Sequence, residues 1–81
     1  ISNHALAEML RREIPQAVLE AVLETPEQIV PEISGVVCYQ SRVTMNQKPY
    51  LLRVIVNETR QPPLVVTVYR TSKIAKYWEK P

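Results

Sequence analysis

The longest apolar stretches of the chain are Tyr50-Leu51-Leu52-Arg53-Val54-Ile55-Val56 and Leu64-Val65-Val66-Thr67-Val68-Tyr69-Arg70. Neither contains an internal Gly or Pro, and both are rich in branched and aromatic side chains that suit a pleated surface, so they predict two central strands. Pro62-Pro63, unable to donate ladder hydrogen bonds, mark the turn between them. Upstream the apolar spacing is helical. Leu6, Met9 and Leu10 predict a buried stripe on a first helix through residues 4–12, capped by Ser2 or Asn3. Val18, Leu19, Val22 and Leu23 predict a second helix that opens at Pro15 and stops at Thr25-Pro26.

Residues 28–32 read as a short edge strand, where Pro31 is tolerable, and Ser34-Gly35 as a turn. Residues 36–43 alternate well enough for a strand, and 44–48 form a polar loop. After Arg70 the pattern Lys73, Ile74, Lys76, Tyr77, Trp78 predicts a short closing helix. Short connections between successive strands favour a meander. The expectation is one α+β domain over residues 1–81: a helical hairpin packed on a three- to four-stranded antiparallel sheet, with a short C-terminal helix.

Period two assigns the faces. Leu52, Val54 and Val56 share one face of the first central strand, and Leu51, Arg53 and Ile55 the other. In the second, Leu64, Val66 and Val68 oppose Val65, Thr67 and Tyr69. With the helices on the all-aliphatic rows, Arg53, Thr67 and Tyr69 fall together on the open face.

Composition narrows the class. The 81 residues sit near the lower limit for a core that folds unaided, yet 46% hydrophobic against 22% charged content excludes a disordered tail. The core is aliphatic, since Phe is absent. The net charge of +2 hides an asymmetry: residues 1–32 carry −4 and residues 33–81 carry +6. Such a division either draws an anionic ligand to one face or lets helix and sheet neutralise each other. Cys38 is alone, which excludes an internal disulfide and fits a reducing cytoplasm; its apolar surroundings favour a structural thiol over a reactive one. No apolar run approaches the roughly 20 residues that span a bilayer, and no stretch reads as a signal peptide. The chain begins at Ile1 rather than Met.

One His and one Cys make no recognisable metal site, and a single Gly makes no phosphate loop. Neither metal nor cofactor is expected, and a serine-type triad lacks its motif. What remains is a basic, hydroxyl-rich surface. Arg53 in an apolar run needs either a glutamate partner or an anion. Thr67 and Tyr69 are ordinary strand residues that also suit a phosphate or a base. Arg70, Lys73 and Lys76 form either a solvated basic face or an RNA grip. Tyr77 and Trp78 more simply pack the last helix. His4 is the one side chain of ordinary titration near neutrality, so it is either structural or the candidate general base.

His4-Ala5 opening a helix, Arg11-Arg12 before Ile14-Pro15, and Val18 through Pro26 resemble the start of a small prokaryotic domain family of unknown function. Tyr50-Leu51-Leu52-Arg53-Val54, Val66-Thr67-Val68-Tyr69-Arg70-Thr71-Ser72-Lys73-Ile74 and Lys76-Tyr77-Trp78 extend the resemblance over nearly the whole chain. That family is grouped with RelE-like and BrnT-like toxins, within the fold that includes barnase and RNA-cleaving colicins. The resemblance implies a metal-independent, cytoplasmic endoribonuclease toxin acting by 2′-hydroxyl attack. It places catalysis on His4, Arg53, Thr67 and Tyr69, with Arg70, Lys73 and Lys76 binding RNA. Implied partners are RNA, with or without the ribosome, and a separate antitoxin protein; a homodimer stays open. The alternative is a non-catalytic module of the same fold that binds nucleic acid or protein.

Overall fold

In the computed structural model, which describes residues 1–80, the elements run α1 (Asn3–Arg11), α2 (Gln16–Glu24), β1 (Gln28–Pro31), β2 (Val36–Met45), β3 (Lys48–Asn57), β4 (Leu64–Thr71) and α3 (Ile74–Tyr77). The four strands form one antiparallel sheet in the order β1-β2-β3-β4. Two N-terminal helices, the meander and a short closing helix make the expected α+β architecture.

Local chemistry sets the element ends. Ser2 caps α1, its Oγ accepting from the Ala5 N–H at 3.0 Å. The same residue ties the helix to β4: its N–H donates to the Val65 carbonyl and its Oγ to the Val66 carbonyl, each at 2.9 Å. Pro15 stands at the N-cap of α2. Between β2 and β3, Asn46 and Gln47 adopt φ of 52° and 65°, a two-residue hairpin turn, and Met45 pairs with Lys48. The polar loop expected over 44–48 is therefore mostly strand. Gly35 has φ +79°, and a Cβ there would overlap Thr59 Cγ2, which explains the glycine on both counts.

The core lies between the two helices and one sheet face. Leu19, Leu52, Val54, Val68 and Ala5 are fully buried, and Met9, Ile14, Val22, Val56 and Val65 nearly so. The stripe of α2 matches the periodicity, with Leu19 and Val22 buried and Val18 and Leu23 packed beside them. The stripe of α1 does not. It buries Ala5 and Met9, leaving Leu6 43% and Leu10 82% exposed. Leu6 and Leu10 follow the buried pair by one residue, about 100° around the helix. The helix is turned so that small Ala5 meets the sheet.

A second difference is the row expected from Leu64, Val66 and Val68. Ile55 pairs with Thr67 but Val56 pairs with Val65, so Val66 is the extra residue of a bulge. Val65 joins Val68 in the core instead. Beyond the bulge, Thr67 and Tyr69 keep the face expected of them.

Candidate functional site

The ladder brings Gln40 of β2, Arg53 of β3 and Tyr69 of β4 into one row across the sheet. Alternation puts this row on the face away from α1 and α2, with Cys38, Ile55 and Thr67 one row along. Arg53 is only 7% exposed, yet each guanidinium nitrogen has a partner. Its Nε donates to Gln40 Oε1 at 2.8 Å, Nη1 to the Tyr69 hydroxyl at 2.5 Å, and Nη2 to Glu32 Oε1 at 3.4 Å. Burial works against the charge; the bond to Tyr69 and then the charges of Cys38, Tyr69 and, last, Glu32 favour it, and the guanidinium titrates above its ordinary value. Among the described residues no buried side-chain N or O lacks a partner.

The segment after β4 lies over this row. The Tyr77 ring sits 4.6 Å from the Arg53 guanidinium and meets Tyr69 edge-on at 6.4 Å. Gln40 Nε2 donates to Gln28 Oε1 at 2.8 Å and to the Tyr77 carbonyl at 3.1 Å. Gln28 in turn clasps the Glu79 backbone, donating to its carbonyl at 2.7 Å and accepting from its N–H at 3.0 Å. In the next row of the same face, Arg42 stacks on Trp78 at 4.3 Å and pairs with Glu27 at 2.8 Å.

The sequence candidates divide between the faces. Arg53, Thr67 and Tyr69 share one face as expected, but that face is not open: Arg53 is buried beneath Tyr77. His4 is exposed on α1, whose Ala5 and Met9 pack on the aliphatic face, so the sheet stands between it and Arg53. Arg70 also points to the helix side, its Nη1 3.8 Å from Met45 Sδ and its guanidinium 4.8 Å from the Tyr50 ring. Lys73 precedes α3 and Lys76 lies within it, both exposed, with Lys76 Nζ 5.2 Å from the Tyr77 ring. The charge asymmetry resolves partly by neutralisation, since Glu27 and Glu32 of the acidic part pair with Arg42 and Arg53 of the basic part.

Sequence reasoning missed Gln40, Gln28 and Glu32. The one signal in the sequence was a glutamine inside the strand pattern of residues 36–43; its full burial, which requires polar company, is visible only in the structure. Cys38 is buried, and burial pushes its thiol up, as a structural cysteine requires. Among the described residues no group of three metal-ligating side chains occurs, and no helix is long and apolar enough to cross a membrane. A cleft of about 530 Å³ between α2 and β2, lined by Val18, Val22, Val43 and Met45, lies on the helix side, away from Arg53.

The family model described as domain of unknown function DUF4258 matches residues 1–70, and the chain belongs to that family. No curated protein and no solved structure matches it.

Proposed function

We propose that the chain is a metal-independent endoribonuclease of the RelE-like, BrnT-like toxin type, working in the cytoplasm on single-stranded RNA at the Arg53–Tyr69 face. One observation supports this reading above the rest: a guanidinium held charged in the sheet, bonded to a tyrosine hydroxyl and framed by aromatic rings. Cations and rings on one surface suit RNA, whose phosphates need charge and whose bases need stacking partners. A separate antitoxin protein belongs to the same reading.

In this mechanism Arg53 stabilises the charge that builds on the phosphorane oxygens, and Tyr69 orients the phosphate. With His4 across the sheet, the proton acceptor beside Arg53 is Glu32, whose side chain is 37% exposed. Glu32 takes the 2′-hydroxyl proton, the 2′-oxygen bonds to phosphorus, and the bond to the 5′-oxygen breaks. That oxygen takes a proton from water, leaving cyclic-phosphate and 5′-hydroxyl ends.

Incubation with a short single-stranded RNA, with product ends identified by mass spectrometry, tests this directly. Wild type yields cyclic-phosphate ends and Arg53→Ala yields none. Glu32→Gln slows cleavage about 10²–10⁴-fold while still shifting RNA mobility, as loss of a general base does. A second reading, a binding module without turnover, is favoured by the fact that each guanidinium nitrogen of Arg53 already has a partner within the chain. Wild type that shifts RNA in a salt-dependent way and leaves it intact would establish that second reading. Neither shift nor cleavage would refute both.

A further inference from the structure

We propose that residues 73–80 form a strap that closes the Arg53 face, and that an RNA segment and the strap compete for the same guanidinium and glutamine groups. The competition rests on the RNA-directed function proposed above; the closing itself rests on geometry alone.

The strap imitates a ligand. Tyr77 offers Arg53 a ring at 4.6 Å and Trp78 offers Arg42 one at 4.3 Å, the contacts a stacked base would make. Its Tyr77 and Glu79 backbone groups occupy the Gln40 and Gln28 amides, which on an open face are free to bond phosphate, sugar or base edges. The face therefore already holds an aromatic, hydrogen-bonding segment, and the sheet holds it through its side chains.

The strap is also weakly held. Helix α3 is a single turn of four residues with none buried, too short to be stable alone. A cleft of about 320 Å³ lined by Arg42, Ile74, Ala75, Trp78 and Lys80 shows that packing under its edge is incomplete. By contrast α1 and α2 place fully buried side chains in the core. Segments with few buried contacts open at low cost while the remainder stays folded. The strap lies beyond the matched residues 1–70, so the matched part comprises α1, α2 and nearly all of the sheet. Arg53 stays anchored when the strap leaves, because Gln40, Tyr69 and Glu32 all come from the sheet and its loops.

The test compares wild type with Tyr77→Ala/Trp78→Ala. Phenylglyoxal modification of Arg53, followed by mass spectrometry, reads the closing without RNA, and exposed Arg11 serves as the reference. Losing the two cation–π contacts between strap and sheet, Tyr77 on Arg53 and Trp78 on Arg42, should speed Arg53 modification about tenfold or more, with Arg11 unchanged. The same variant should bind and cleave a short single-stranded RNA correspondingly better. Unchanged protection of Arg53 in a variant of native circular dichroism would overturn the strap. Faster modification with no RNA bound or cut by either form would refute the RNA reading and leave the strap standing. Should the double variant fail to fold, Gln28→Ala, which removes both bonds to Glu79, gives the same readout: faster Arg53 modification supports the strap, and unchanged protection overturns it.

Discussion

On the helix side of the sheet Leu52, Val54 and Val68 are fully buried with Leu19 and Ala5, whereas on the other side the same strands present Gln40, Arg53 and Tyr69 to one helical turn with no buried residue. The first face is closed by non-directional burial, whose contribution grows with apolar area and disappears only when the domain unfolds. The second also covers the fully buried Cys38 and Leu51, and over Arg53 it is closed by directed bonds and ring stacking, each worth about 0.5–2 kcal/mol net. The first face is held by apolar burial, and Arg53 on the second is held by directed contacts. Leu52 and Arg53, adjacent in β3 and on opposite faces, make the contrast measurable.

The largest effect belongs to the aliphatic face. Leu52→Ala should lower the unfolding free energy by about 2–5 kcal/mol in urea denaturation, the cost of a buried leucine deletion that leaves a cavity. A loss below about 1 kcal/mol would show that the helices collapse into the gap, and the contrast would lose its basis. Arg53→Ala comes next, at about 1–3 kcal/mol, because Gln40 and Tyr69 lose a charged donor while Glu32 remains exposed enough to rehydrate. If Arg53→Ala destabilises more than Leu52→Ala, Arg53 is chiefly a structural residue and its assignment to RNA chemistry fails.

Much of this contrast was legible in the sequence. Strict alternation through β3 separated Leu52 from Arg53, and the pattern after the bulge placed Thr67 and Tyr69 with Arg53. The bulge itself was not legible, because Leu64, Val65 and Val66 are interchangeable by hydrophobicity and carry no signal of parity. Nor was the rotation of α1: Ala5 and Leu6 both read as apolar, and choosing between them depends on how closely the helix approaches β4. That rotation and the face α1 covers decide where His4 lies, which is why a residue well suited to base catalysis sits apart from Arg53. The strap was expected as a helix, but a short amphipathic turn does not state which face it covers. Its glutamine contacts depend on partners 37 and 51 positions away in sequence.

The smallest effect concerns the pair that joins the two sides. Arg42 stacks on Trp78 of the strap and pairs with Glu27, which follows α2 and sits at the entrance to β1. The Glu27 carboxyl is held down to about 2 from 4.5, first by the Arg42 side chain and then by its backbone N–H. A depressed carboxylate contributes stability that is complete above its unfolded pKa and lost as the pH falls through the folded one. The stability difference between wild type and Glu27→Gln should thus be constant above pH 4.5, shrink below it, and vanish near pH 2. It should stay within about 0.2–1 kcal/mol, since both side chains are more than a third exposed and water screens the pair. Urea denaturation at a series of pH values, with Trp78 fluorescence as the probe, reads both the global transition and the strap. A difference that persists below pH 2 would mean that the Glu27 side chain acts through packing, and the strap would then owe nothing to the charge that Arg42 shares with it.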